Sequence, residues 1–449
     1  MRLEDCIVPV FVAIDFCVTS SLVDNDVLHA LPPIRVASLY HTLFMKDNHR
    51  HHTRKKWFTC TPVAFKGDHT FFHRDSGLFC RAFQEIGVES RAVMPLPAQE
   101  GDCLDLIRTE YKNLESAEWW RSQNIDGVVL YAWTKTRYTA IARAIHNSGA
   151  KLVLYLDVGA LTYPWKDWMF GTKLIFRSNR IKHPVLFIPY ALLEILREHT
   201  LKQVNSIRRR RHLDYADIIG IPSPPAIEAY KRIPFLFSKK SRAAITLLPA
   251  PVASHFTYNP NIQKEDRIMA VGRWDDEETK RPRFVMNAVE SFCHQNGSSH
   301  IDIFGVPTIG MKTWYDRLPA SMQPRISLHG VVGNDKLASW YQRSKICLCA
   351  SVRESTHLAS MEAVCCGCSI VAAPTPGLAA VHWYASKNSG TIAEKDNPEA
   401  FAAAMTKEHH AWESGARHPE QISDDWRELL HAKHSATLII TLLSGQHLQ

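Results

Sequence analysis

Short apolar runs alternate with helix-period segments along most of the chain. Residues 57–65 read as a first strand, 76–87 as a helix closed by a glycine, and 88–94 as an extended segment. Residues 125–133 form a strong strand pattern, 137–148 a helix stopped by Gly149, and 151–156 a strand ending at Asp157. A helix is expected from Ala191 to the arginines at 208–211, then a strand at 217–222 and a short helix at 224–232. Further on, 267–270 and 345–350 read as strands, and 369–373 follows Gly367 as another. The tail from 424 to 443 is helical in pattern, with Trp426, Leu429, Leu430, Ala436, Ile439, Ile440 and Leu443 apolar. Strands alternating with helices of this length imply an α/β chain with parallel sheets and crossover helices.

The unit from 345 to 373 is strand, loop, helix, strand, and it carries two carboxylates, Glu354 and Glu362. A helix opening between Thr356 and Leu358 aims unpaired backbone N–H groups, and the positive end of its dipole, into the crevice above a parallel sheet. That mouth suits a phosphate. Glu354 is expected in the loop before the helix and Glu362 on nearly the same face, because their spacing is close to a whole number of turns.

The string from Arg353 to Ala372 resembles the E-x7-E segment of retaining glycosyltransferases of family 4. Other stretches match in the same order. Val271-Gly272-Arg273 with Lys280 is similar to the family's G-R…K element, Ile301 to Gly305 to the next strand and its glycine, and His329-Gly330-Val331 with Lys336-Leu337 to the stretch that follows. Leu247 to Val252 with Phe256 resembles the interdomain hinge. The resemblance covers about residues 245–410. It implies a GT-B fold: two Rossmann-like α/β/α domains with parallel sheets facing each other across a cleft, and a C-terminal helix crossing back to the first domain. Residues 1–55 would be an extension, 56–250 the acceptor domain, 251–415 the nucleotide-sugar donor domain and 416–449 the returning helical segment.

The implied activity is transfer of a sugar from a nucleoside diphosphate sugar to a glycan, lipid-linked or small-molecule acceptor, with retention. Arg273 and Lys280 would hold the diphosphate, backbone around Thr356, His357 and Leu358 would add N–H donors, Glu362 would accept from the ribose, and Glu354 would hold a sugar hydroxyl. Gly272, Gly305 and Val331 complete the expected donor side. Because the cations stand in for a metal, no divalent ion and no tightly bound cofactor are expected. Each residue also has a plain structural reading: Arg273 pairing with Asp275 or Asp276, Lys280 as a solvated lysine, Glu354 capping the helix, Trp274 as loop packing. In the acceptor half the match is looser. Gly77 is the candidate for close approach to a ligand, and Asp157 stands where relatives often place a histidine, either replacing it or capping its own loop. An epimerase on the same fold, or a non-catalytic nucleotide-sugar-binding protein, stays open beside the transferase.

Composition narrows the field further. With 449 residues and 45% hydrophobic content the chain can bury two cores. No apolar run is long enough to span a bilayer, because Asp15 interrupts the first stretch and Pro189 and Glu194 a later one. The start lacks a signal-like pattern, and eleven cysteines without framework spacing point to reduced thiols, so a cytoplasmic setting is expected. Cys365, Cys366 and Cys368 are expected in the core rather than on a metal. The net charge of +8 includes Arg208, Arg209, Arg210 and Arg211, either a solvated helix end or, with Lys239, Lys240 and Arg242, a contact for an anionic membrane inner face or a phosphorylated acceptor. No nucleic-acid-binding motif accompanies the charge. The histidine-rich stretch near 49–56 reads as a flexible polar tract, and Asp24-Asn25-Asp26 as a chance D-x-D.

Overall fold

The computed structural model describes residues 55–131, 136–156, 183–231, 243–295, 299–386 and 388–443, with positions 172, 173, 175, 176, 179 and 180. The extension, including Asp24 and Asp26, and Asp157 lie outside the described residues. So do Lys239, Lys240 and Arg242. Described residues from 55 onward form one compact unit built on two parallel sheets.

The first sheet has seven strands: β1 (Lys56–Cys60), β2 (Glu89–Pro95), β3 (Leu106–Thr109), β4 (Gly127–Tyr131), β5 (Lys151–Tyr155), β6 (Ile218–Ile221) and β7 (Ala244–Leu247). Their order is β3-β2-β1-β4-β5-β6-β7. The strands β4 and β6 are buried along their whole length, as continuous apolar runs covered on both faces must be. The second sheet has six: β8 (Arg267–Val271), β9 (His300–Phe304), β10 (Ile326–Gly330), β11 (Ile346–Cys349), β12 (Ser369–Ala372) and β13 (Gly390–Ile392), in the order β10-β9-β8-β11-β12-β13. Every pairing between these strands is parallel.

Several predicted bounds move. The first strand stops at Cys60 rather than running to 65, and β4 starts at Gly127 and is described as far as Tyr131, beyond which the expected strand end lies outside the described residues. Helix Asp75–Glu85 is followed by a residue with ordinary φ, and Gly87 at φ +80 turns the chain toward β2. Helix Thr139–Ser148 does end as expected, on Gly149 at φ +93. The helix expected from Ala191 starts earlier and runs Phe187–Leu213.

The lobes are joined at the linker after β7. Val252 donates its N–H to the Leu430 carbonyl at 2.9 Å and accepts from the Ala432 N–H at 2.9 Å. His431 Nε2 lies 2.9 Å from the Phe256 carbonyl oxygen. Helix Pro419–Leu430 packs on Leu358–Cys365 of the second lobe, and helix Ala432–Leu443 then crosses to pack on Asp75–Glu85 of the first. One buried cluster therefore continues from Leu78, Phe79 and Phe83 through Val252 and Phe256 into the second sheet, and takes in Ala436 and Ile439. Nine cysteines among the described residues are free, and Cys365, Cys366 and Cys368 are fully buried, as the core reading expects. No described helix is long and apolar enough to cross a membrane.

Candidate functional site

The loops that follow β8 and β11 leave from neighbouring strands, since Ile268, Met269 and Ala270 pair with Ile346, Cys347 and Leu348. Beyond β8 the chain passes Gly272, Arg273 and Trp274 into a single helical turn, Glu277–Lys280, capped by the Asp276 carboxylate on the Thr279 N–H at 3.1 Å. Arg281 then takes the left-handed conformation at φ +56, held by Asp396 at 2.7 Å and lying over the Phe284 ring. This reversal is what turns Lys280 inward. The Thr279 carbonyl accepts from the Val352 N–H at 2.8 Å, which ties this turn to the loop after β11.

Lys280 and Glu354 meet across that tie. The ammonium donates to Glu354 Oε1 at 2.5 Å, and their side chains are 12% and 15% exposed. Lys280 is thus not a solvated lysine. Burial pushes the Glu354 carboxyl up, but His357 and Lys280 facing it outweigh that and hold it below its ordinary value. Burial pushes His357 down to about 4, so at neutral pH its ring is uncharged and Lys280 is the operative cation. The ring Nδ1 lies 2.6 Å from Ser360 Oγ.

His357 is also the residue before helix Leu358–Cys365, and it stands at φ +55. This overturns the reasoning from spacing: residues 354–357 are not helical, so a whole-turn count does not set Glu354 over Glu362. Glu354 is placed instead by its N–H, which donates to the Gly377 carbonyl at 2.9 Å, and by Lys280. It does not cap the helix, whose N-cap residue His357 makes no side-chain cap bond. A Cβ on Gly377 would lie 2.6 Å from the Val352 carbonyl oxygen, so this loop approaches as closely as backbones can.

Thr356 is buried beside His357, and Leu358 is partly buried. Lys280, Trp274, Ser351 and His357 line one narrow cavity with Ala270 and Val285. Helix Leu358–Cys365 begins at its edge, with the Ser360 N–H accepted by the His357 carbonyl at 2.9 Å. Glu362 is partly buried further along this helix. Burial pushes its carboxyl up to about 8, against the pull of Arg74 and the neighbouring Tyr341 hydroxyl. Arg74 comes from the first lobe, where it precedes helix Asp75–Glu85.

Arg273 stands apart. Its side chain is 80% exposed and lies 3.7 Å from Asp276, and it does not line the cavity. Gly272 and Gly305 bring the ends of β8 and β9 together. A Cβ on Gly305, at φ +115, would sit 1.9 Å from the Gly272 carbonyl oxygen. Trp274 covers this junction, buried, with its Nε1 donating to the Phe304 carbonyl at 3.0 Å, in keeping with loop packing. Val331 is 76% exposed. Gly77 is buried against Phe71, where a Cβ would lie 2.4 Å from the carbonyl oxygen.

The structure therefore brings Lys280, Glu354, Thr356 and His357 into one place and leaves Arg273 and Val331 at the surface. Sequence reasoning passed over Arg74, Ser351 and the loop 374–378. The Pro374-Thr375-Pro376-Gly377 turn signal after β12 was the available clue to the last. Thr375 Oγ1 donates to the Val352 carbonyl at 2.9 Å, which fixes the loop beneath Glu354.

Residues 265–408 match a family described as Glycosyl transferases group 1. No curated protein matches the chain. Among solved structures, the sucrose-phosphate synthase of Thermosynechococcus elongatus aligns with a TM-score of 0.54 at 12% identity, covering 87% of this chain and 99% of that one. HepE of Anabaena, in complex with UDP and glucose, aligns at 0.55 and 10% identity over 88% of this chain and 100% of its own. A Listeria monocytogenes protein described as a putative UDP-N-acetylglucosamine 2-epimerase aligns at 0.53 and 12% identity, over 88% and 97%. The fold is thus the two-lobed GT-B arrangement, and Lys280, Glu354 and Glu362 lie within the segment 265–408 that matches the glycosyl transferases group 1 model.

Proposed function

We propose that this chain transfers a glycosyl group from a nucleoside diphosphate sugar to an acceptor, with retention at the anomeric carbon and without a metal. The observation that carries the reading is the convergence of Lys280, Glu354 and His357 at the mouth of helix Leu358–Cys365, inside the portion that matches glycosyl transferases group 1. Departure of a diphosphate develops negative charge, so the site needs preorganised cations and N–H donors more than a strong base. Lys280 supplies the buried cation and the helix mouth the N–H groups. A neutral His357 can donate a hydrogen bond to a phosphate without competing for a proton. Glu354 holds a hydroxyl of the sugar and shares Lys280 with the leaving group. Glu362 accepts from the ribose.

Arg273 is assigned to the diphosphate as a side chain that folds down on it, and its exposure leaves it free to do so. Gly272, Gly305, Thr356, Leu358 and Val331 are assigned to the donor side, and Gly77 and Asp157 to the acceptor lobe. That HepE is described in complex with UDP and glucose supports a nucleotide sugar as ligand. The likeness to a putative epimerase keeps an epimerase as the alternative on this fold.

The acceptor is a glycan, a lipid-linked molecule or a small molecule. Contact with an anionic membrane is assigned to the helix Phe187–Leu213, which carries Arg208, Arg209, Arg210 and an exposed Arg211. Val185, Ile188, Leu193 and Leu196 stand exposed at its start. Pelleting with neutral vesicles as efficiently as with acidic ones would count against it.

The test of the function is a thermal-shift panel of UDP, GDP and ADP sugars. One nucleotide class should raise the melting temperature, and Glu362→Ala should abolish the rise. Stabilisation with product formed only in the presence of an acceptor supports the transferase. A changed sugar nucleotide without acceptor indicates the epimerase, and binding with neither transfer nor hydrolysis a non-catalytic protein. No stabilisation by any member of the panel refutes nucleotide-sugar binding.

A further inference from the structure

His73, His255 and Asp335 come from three separate stretches of chain and meet where the lobes join. His73 ends the short helix His69–Phe72 in the first lobe, His255 lies in the linker after Val252, and Asp335 is in the first turn of helix Asn334–Arg343 in the second lobe. One ligand atom from each lies within 4.8 Å of the others. The two imidazole rings are 5.6 Å apart, centroid to centroid. His255 Nε2 lies 3.8 Å from Asp335 Oδ1 and 3.2 Å from Asn334 Oδ1.

We propose that these three side chains form a binding site for a borderline divalent transition cation such as Zn2+, which ties the two lobes together at the linker. Two imidazoles and one carboxylate are the donor set such a cation prefers. Around a tetrahedral zinc with ligand distances of about 2.1 Å, neighbouring donors stand about 3.4 Å apart, so the present arrangement needs an inward movement of about 1.4 Å at most. Asp335 is 84% exposed at the side chain and can make that movement without unpacking anything. Water would complete the coordination.

A second cluster, His409, His410 and Glu413, has matching donors, but all three stand on the single helix Pro398–Glu413 and tie no separate segments together. The site at the linker is separate from Lys280 and Glu354. Its occupancy bears on lobe movement rather than on the bond-breaking step.

The test uses the full chain without an affinity tag, stripped with a chelator and titrated with Zn2+, and with Co2+ for the visible absorption of a low-coordinate site. One cation should bind per chain with a dissociation constant in roughly the micromolar range or below. His73→Ala and Asp335→Asn should each weaken it tenfold or more, while His409→Ala leaves it unchanged. Asp335→Asn keeps an exposed, nearly isosteric side chain, so its metal-free melting temperature should equal that of the wild type. Hydrogen exchange in segments 69–73 and 252–256 should slow with Zn2+ only in chains that bind it. Binding that survives both His73→Ala and Asp335→Asn, or no binding beyond millimolar affinity, overturns the proposal.

Discussion

Replacing Lys280 by methionine separates what the cation does for the fold from what it does for a ligand. In the structure its ammonium is the nearest charge to Glu354, at 2.5 Å, and both side chains are largely shielded from water. Methionine keeps most of the volume but leaves the carboxylate facing an uncharged His357. Removing one partner of a fully buried ion pair costs about 3–5 kcal/mol, and the residual exposure of this pair sets the expectation at the lower end, about 3 kcal/mol. For a lobe of this size that corresponds to a fall in melting temperature of about 6–12 °C. Changing Glu354 to glutamine as well removes the stranded charge, and the Lys280→Met, Glu354→Gln pair should regain most of the loss. Transfer should not return with it: one cation near a phosphate oxygen at an effective dielectric of about 20 is worth about 4 kcal/mol, or about a thousandfold in rate. Calorimetry on the wild type, both single variants and the double variant, beside turnover with whichever nucleotide sugar stabilises the chain, completes the comparison. A single variant that loses less than about 1 kcal/mol, or a double variant no more stable than Lys280→Met, would show that Lys280 and Glu354 do not depend on each other for stability.

Two further outcomes follow from the site's geometry. Glu362 has its folded-state value raised to about 8 from an ordinary 4.5, so the folded chain holds a proton that the unfolded chain has released. Its contribution to stability is therefore full below about pH 4.5 and is lost as pH rises toward 8. Relative to Glu362→Gln, the wild type should lose about 2 kcal/mol across that window, the full linkage value being discounted because the residue as a whole is only partly buried. Parallel denaturant curves for the two proteins from pH 5 to 8.5 would contradict this. Gly305→Ala puts a Cβ within 1.9 Å of the Gly272 carbonyl at a φ that side chains avoid. It should cost about 3 kcal/mol or more in denaturant unfolding, and a change under 1 kcal/mol would show that the ends of β8 and β9 can part without loss.

The strands that could be read from residue order are those buried on both faces. The apolar runs at β4, β11 and β12 have no solvent side and so leave an unbroken signal. The strands β3, β7 and β13 went unseen because they are short and lie at sheet edges; β3 and β7 are also partly exposed, and β13 is a mostly buried run of only three residues. In the site, the residue types around Lys280 and Glu354 could be anticipated, but their pairing could not. It depends on Arg281 adopting a left-handed conformation and on a backbone bond between Thr279 and Val352. The helix after Glu354 was foreseen, while the left-handed His357 that breaks its phase was not. Arg74 faces Glu362 only because the chain folds one lobe against the other, and no local pattern records a contact across nearly three hundred positions.

That long-range pairing links the first lobe to the helix that carries Glu362. Arg74 immediately precedes helix Asp75–Glu85, and this helix is the one on which the returning helix Ala432–Leu443 packs. The preceding helix, Pro419–Leu430, packs on Leu358–Cys365, which carries Glu362. The two ends of one electrostatic contact are therefore mounted on the two elements that the C-terminal segment touches. At their junction the Val252 and His431 hydrogen bonds hold that segment to the linker. Movement of one lobe about the linker must change the distance between Arg74 and Glu362, and hence the readiness of Glu362 to ionise. If Glu362 serves a ribose as proposed, a hydroxyl donating to its carboxylate would favour the ionised form, and so the arrangement in which Arg74 is near. On that reading, ligand capture and lobe approach would reinforce each other through a single carboxyl group, with the sign set by burial on one side and a guanidinium on the other.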